Sequence, residues 1–172
     1  TWSNIVKVPF VDQQKLQGIG RSLDQIYDKG LRLNYNKMLD ENVYTGFSDF
    51  GTEGLVNNSN VTASMAAMNA GGTSRQWRNK TPDEILDDVN TAITNAWANS
   101  GYDVDGIPNH IGLPPSLYSY IVGTKVSQAA DKSILNYLLE NNIAKANGVN
   151  LVIVPMRQLI GAGTGSSDRM IA

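Results

Sequence analysis

Thr81-Pro82-Asp83-Glu84-Ile85-Leu86-Asp87-Asp88-Val89, running on to Gly101, is the stretch from which the rest of the chain can be read. Thr81 offers a capping hydroxyl. Pro82 suits the first helical position, where its missing N–H is not needed, and Glu84 can reach back to the backbone N–H of Thr81 to complete a capping box. Leu86, Val89, Ile93 and Trp97 recur at three- and four-residue steps, which predicts a helix over about 82–100 with one apolar face. Asp87, Asp88, Asn90 and Asn95 fall opposite and are expected to meet water. Acidic side chains in the first turn oppose the positive end of the helix dipole.

Outward from this helix the pattern is mixed. Ile5, Val6, Val8 and Phe10 predict an extended segment at the start. Leu16, Ile19, Leu23, Ile26, Leu33 and Met38 fit a helical stripe from about Asp12 to Asn42, with a break near Gly18–Gly20 or a bend at Gly30 and its stronger part at Ser22–Asn42. From Tyr44 to Gly72 glycine and asparagine mark loops, with Gly54-Leu55-Val56-Asn57 as a short ordered island. Asn109–Leu113 predicts a buried strand, Pro115 to Ile121 a helix, Lys132 to Asn141 a second helix, and Val149–Val154 a strand ended by Pro155. Helices alternating with short strands give an α+β or α/β class.

Composition narrows the function. The chain has 172 residues, a formal charge of −2, 41% apolar and only 17% charged residues, and no cysteine. The low charge fraction suits a protein that hides surface against neighbours. A mildly acidic chain is a poor nucleic-acid binder of the basic-face kind. Without cysteine there is no disulfide framework, thiolate metal site or Cys nucleophile. No apolar run approaches the ~20 residues of a membrane helix. The final Arg169-Met170-Ile171 reads as a strand cut short, so a fragment is expected.

The candidate chemistry is thin. Gly161-Ala162-Gly163-Thr164-Gly165 follows a strand as a phosphate loop would, but it lacks both the GxxxxGK[ST] and the GxGxxG spacing and reads as a glycine-rich hairpin loop. His110, the only histidine, could be drawn into a triad with Ser166 or Ser167 and Asp168, yet neither serine sits in a GxSxG elbow. Asp103-Val104-Asp105-Gly106 has its glycine at position four and Pro114 at position twelve, so it fails as a calcium loop. Trp77 is expected to anchor a loop in the core, with a stacking pair with Arg78 as the other reading. Trp97, Tyr118, Tyr120 and Tyr137 read as core or interface. No catalytic, cofactor or metal residues are assigned, and an enzyme is not expected.

The order of segments is more telling than any one of them. A long helix is followed by Gly-Leu-Val-Asn-Asn after a glycine-rich loop. Then come Trp-Arg-Asn-Lys-Thr-Pro-Asp-Glu-Ile, Ile-Gly-Leu-Pro-Pro-Ser-Leu-Tyr, Ile-Leu-Asn-Tyr-Leu-Leu-Glu-Asn-Asn and Val-Asn-Leu-Val-Ile-Val-Pro, before a last glycine-rich loop closing on Asp-Arg-Met-Ile-Ala. From about Asp12 to the end this resembles the major capsid proteins of tailed bacteriophages, with the Hong Kong 97-like fold, and among them a prophage-encoded subgroup.

The resemblance implies an α+β fold, here truncated. Its peripheral domain would span 1–105 and 166–172, with a spine helix at about 22–42 and a second helix at about 82–100. Its axial domain would span 106–165. It implies a structural subunit of a phage or prophage head that encloses double-stranded DNA without sequence-specific binding. Copies would form rings of five and six, with scaffold, portal or decoration proteins as further partners. No cofactor and no membrane enter, and the location is the virion, assembled in the bacterial cytoplasm. Gly123, Thr124, Lys125, Gly161, Gly163 and Gly165 are the expected subunit-interface residues. The chain departs from the family in lacking most of the N-terminal arm and extended hairpin. A same-fold alternative is a bacterial nanocompartment shell, and an alternative of another class is a small hydrolase using His110 with Ser166 or Ser167 and Asp168.

Overall fold

The capping box forms as the sequence specifies. In the computed structural model, which describes residues 23–129 and 131–172, Thr81 Oγ1 accepts from the Glu84 N–H at 3.3 Å and the Glu84 carboxylate accepts from the Thr81 N–H at 2.6 Å. The chain divides into two compact units, Thr1–Asn60 and Val61–Ala172.

In the first unit, helix α1 runs from Leu23 to Thr45 and continues through Gly30. Its half-buried positions are Tyr27, Leu31, Met38, Asn42 and Tyr44, whereas Ile26 and Leu33 are 47% and 56% exposed. The expected stripe therefore holds at Met38 and fails at Ile26 and Leu33, because Tyr27 and Leu31, one and two residues away, take the covered face. The part of that stripe before Leu23, the break at Gly18–Gly20 and the N-terminal extended segment lie outside the described residues.

The ordered island is a clasp on the end of α1. The last turn of a helix leaves carbonyls without intrahelical partners. Here the N–H groups of Leu55 and Val56 donate to the carbonyls of Val43 and Tyr44 at 3.0 and 2.9 Å. The Asn57 side chain donates to the Thr45 carbonyl at 2.8 Å, and its oxygen accepts from the Gly54 N–H at 2.6 Å. Gly54 lies so close that a Cβ there would sit 2.3 Å from the Tyr44 carbonyl carbon. Only glycine permits that approach.

The second unit is built around helix α2, Pro82–Asn99. Strand β1 (His110–Leu113) follows, then helix α3 (Pro115–Gly123), helix α4 (Ile134–Asn141), the short helix α5 (Ile143–Ala146) and strand β2 (Val152–Pro155). The strands pair in parallel, His110 opposite Val152 and Leu113 opposite Pro155. A parallel pair needs a long crossover, and α3, α4 and α5 supply it. Gly112 also exchanges both backbone hydrogen bonds with Ile171, at 2.9 and 3.2 Å, so the chain end flanks β1 as an antiparallel bridge. The pairing of β2 starts at Val152, later than the apolar run beginning at Val149, and includes Pro155.

The core gathers Ile85, Val89 and Ile93 of α2 with Ile111, Leu113, Ile121, Ile134, Leu138 and Ile153. Burying each such side chain contributes roughly 1.5–3 kcal/mol. Leu86 and Trp97 are only partly buried. The apolar face of α2 thus centres on Ile85, and Asp88 comes inside with it, 6% exposed. The expectation that Asp88 is solvated is corrected, while Asp87 is exposed as expected. The α4–α5 corner turns on Asn142, 1% exposed. Its side chain donates to the carbonyls of Leu138 and Leu139 and accepts from the Lys145 N–H at 2.8 Å. It ends one helix and caps the next.

Candidate functional site

The residues singled out as interface candidates fall on two loops whose closure follows from local bonding. The first leaves the end of α3. Gly123 is exposed, and Thr124 caps the helix by donating its N–H to Tyr120 O at 2.9 Å. Thr124 O then accepts from Ile134 N, and Val126 N donates to Lys132 O at 3.0 Å, with Lys125 bridged antiparallel to Ser133. These rungs pair residues 124–126 antiparallel with 132–134 and close the base of a short finger. Lys125 Nζ pairs with Asp131 Oδ1 at 3.0 Å, both side chains exposed, and Lys132 pairs with Glu140 at the base. Exposed pairs of this kind contribute little to stability, so their charges remain available to a neighbour.

The second loop follows β2. Arg169 N donates to Leu159 O at 3.0 Å and Gly163 N to Ser167 O at 2.7 Å, closing residues 159–169 on themselves. The Asp168 carboxylate accepts from Gly161 N at 3.2 Å, and Ser167 Oγ donates to Thr164 O at 2.8 Å. Gly161 and Gly165 take φ of +65° and +67°, where side chains are strained. At Gly163 a Cβ would lie 2.6 Å from Ser167 Oγ. The glycines serve loop closure rather than a phosphate cradle.

Of the drawn triad, His110, Ser167 and Asp168 bond elsewhere, and Ser166 sits in its loop at a φ of +59°. Exposed His110 has its Nδ1 at 2.7 Å from Asn109 Oδ1, Ser167 bonds within its loop, and Asp168 holds Gly161. A nucleophile, base and orienter must lie within hydrogen-bond reach of one another; these bonds do not link the three. The Asp103 loop is likewise a turn. Its Oδ1 accepts from Asp105 N at 3.4 Å and its carbonyl accepts from Trp97 Nε1 at 2.6 Å. Among the described residues no group of three or more His, Asp or Glu is placed to hold a metal ion, and no helix is long and apolar enough to cross a membrane.

The polar cluster that sequence reasoning missed lies before α2. Trp77 Nε1 donates to Asp88 Oδ2 at 2.8 Å, and Lys80 forms an ion pair with the same oxygen. The Lys80 and Asp88 side chains are 1% and 4% exposed. Trp77 is the core anchor expected of it, at 6% exposed, and Arg78 stacks over Tyr120 instead, 5.1 Å from its ring centre. The available signal was position: Asp88 stands one turn after Ile85, on the buried face. Two further ionisable groups tie segments together, Glu84 a loop to α2 and Tyr137 helix α4 to α2. The Thr81 and Ala70 N–H groups hold the Glu84 carboxyl below its ordinary range, and the bond from Tyr137 OH to Asp83, 2.6 Å long, raises the Tyr137 phenol.

This arrangement of shaped loops and an engaged polar interior agrees with comparison to known proteins. The sequence model of the family described as "Major capsid protein" matches residues 1–172. The chain belongs to the major capsid protein family. A solved structure described as "The capsid of Myoviridae Phage XM1" shares the fold, with a TM-score of 0.67 and 18% identity over 91% of this chain. The match takes in 50% of that capsid chain, so this sequence spans about half the length of the capsid protein it resembles. No curated protein matches the sequence. The α+β fold of a phage major capsid protein is therefore the fold of this chain, and neither the nanocompartment nor the hydrolase alternative is favoured.

Proposed function

We propose that the chain is a structural subunit of a phage or prophage head shell, packing with its own copies into rings of five and six around double-stranded DNA. The observation that carries this reading is the match of the major capsid family across the whole chain. The low charge fraction of 17% supports it, since few charges need desolvating when surface is covered. In this reading residues 1–105 and 166–172 form the peripheral domain and 106–165 the axial domain. The fingers at 124–134 and 159–169 face neighbouring subunits, with Gly123, Thr124, Lys125, Gly161, Gly163 and Gly165 among the contacting residues. Head-to-tail contacts of this sort close into rings when the rotation between copies permits, and stable ones bury upwards of ~1,200 Å² in total. The shell would assemble in the bacterial cytoplasm and mature into the virion, its contents held without base readout.

Negative-stain electron microscopy of the full-length parent protein, expressed alone and concentrated, tests the reading. Closed shells or rings of five and six are expected. A protein that stays monomeric both alone and with its scaffold would overturn it.

A further inference from the structure

Strand β2 leaves one edge without a partner. The N–H groups of Val152 and of Met156, just past the strand, donate to the carbonyls of Asn109 and Leu113 along β1 at 2.8 and 2.7 Å. A trans peptide sets its C=O opposite its N–H, so the carbonyls of Leu151 and Pro155 point away from β1. In the alternation of a parallel pair, the N–H and C=O of Ile153 point outward as well. Among the described residues no hydrogen bond reaches any of these groups. Ile153 is 7% exposed, so its main-chain groups are largely withdrawn from water, where going unpaired is costly. Exposed Val152 and Pro155 leave the edge open to approach, and proline belongs on an edge because it brings no N–H to a ladder.

Val61-Thr62-Ala63-Ser64-Met65 has the complementary lack. It alternates apolar and polar residues, the period of a half-buried strand, yet it forms no strand and every residue of it is exposed. Val61 and Met65 leave 45% and 65% of their surface in water. Among the described residues no hydrogen bond reaches its main chain. Its own β2 is not its neighbour: Ala67 and Met68 line a cleft with Lys80, Glu84 and Thr91 beside α2, and the Ala70 N–H donates to Glu84. We infer that Val61–Met65 of one copy adds as a further strand to the β2 edge of a second copy. The inference rests on the shell reading for that second copy. An extended segment joins an open edge through main-chain hydrogen bonds, and its alternate side chains fall on the two faces of the sheet. Val61, Ala63 and Met65 then continue the buried face of Leu151 and Ile153, while Thr62 and Ser64 lie beside exposed Val152. The segment carries no charge and no proline, so every residue brings an N–H to an edge made mostly of carbonyls.

Disulfide trapping tests this, and a chain without cysteine has no background thiol. The 172-residue chain carrying Val152→Cys is mixed at high concentration with the chain carrying Thr62→Cys or Ser64→Cys and oxidised mildly. A mixed disulfide dimer is expected, read by intact mass. Ala63→Cys would fall on the opposite face, and thiols that point apart are not bridged, so it should link to Val152→Cys about tenfold less. An excess of synthetic peptide spanning Val61–Met68 should suppress the mixed dimer, and the same peptide with Thr62→Pro and Ser64→Pro, which lacks those N–H donors, should not. No mixed dimer, equal linking from both faces, or equal suppression by both peptides would overturn the edge assignment. Electron microscopy of the same mixtures reads the shell separately. Shells or rings without the face-selective link would sink the edge pairing alone, and the link in a protein that never forms shells or rings would support the pairing and count against the shell.

Discussion

Lys80 and Asp88 place opposite charges inside the second unit, and the geometry around them sets what their loss should cost. Asp88 accepts from both Lys80 and Trp77 Nε1, so Asp88→Ala strands a buried ammonium and an indole N–H together. Removing one partner of a buried pair costs about 3–5 kcal/mol, whereas an exposed substitution stays within about 0.5 kcal/mol. Asp88→Ala should therefore lower the urea midpoint steeply and Asp87→Ala hardly at all. A pair of equal midpoints would refute the buried assignment. Gly112 makes a second residue-scale case. A Cβ there would lie 2.6 Å from Met156 Sδ and about as tightly against Ile171 and Leu159, at 3.0 and 3.1 Å. Gly112→Ala should cost about 1–3 kcal/mol by overpacking, read in the same denaturation experiment. Neither effect was legible in the sequence. Aspartate on a helix is ordinarily solvated, and periodicity shows which face is covered without showing what polar group arrives there. A glycine in a strand signals close approach, but the approaching residues come from 44 to 59 positions downstream.

Helices were the most legible elements, because their signals are local. The Thr81 box, Pro82 and the Val89–Ile93 spacing fix α2 within a few residues of one another, and Pro115 opens α3 for the same reason. Elements that depend on distant partners were read less well. The strand after Val149 pairs only from Val152, where β1 lies opposite, and α5 exists because buried Asn142 caps it. The capping box also yields a pH test. Glu84 is held below its ordinary value of 4.5, chiefly by the Thr81 N–H and then by that of Ala70. A depressed carboxyl stabilises the fold above its unfolded pKa and loses that effect as pH falls through its folded one. The melting temperature of Glu84→Gln should therefore fall short of the parent near neutrality and converge with it in acid. Tyr137 has the opposite sign. Its phenol is raised above 10.0, first by the hydrogen bond to Asp83. Its contribution is complete below pH 10 and is lost as pH rises through the raised value. Tyr137→Phe should thus be less stable than the parent at neutral pH, the gap closing in strongly alkaline solution.

At the scale of the whole molecule, the order of segments carried what no single motif did. Composition excluded chemistry more readily than it specified a role, and the glycines were enough to place the two fingers on loops. Their contacts could not be read, because contacts between copies leave no periodic trace in one chain. What the molecule does show is apolar surface on a helix that local packing does not need. Leu33, Leu39 and Val43 of α1 are 56%, 45% and 57% exposed. Exposed apolar area of this kind marks a surface that meets another protein when it is contiguous and large, and a shell subunit is expected to cover it on assembly. Lysine at an exposed helix position is a good helix former and disturbs no packing, but a charge buried in an interface without a partner is strongly unfavourable. Leu33→Lys and Val43→Lys should therefore leave the urea midpoint of the isolated chain within about 0.5 kcal/mol of the parent. In the full-length parent protein the same changes should raise the concentration needed for shells or rings, read by light scattering and electron microscopy. Normal assembly of both variants would mean that Leu33 and Val43 face solvent in the shell and that α1 is not a contact through this surface.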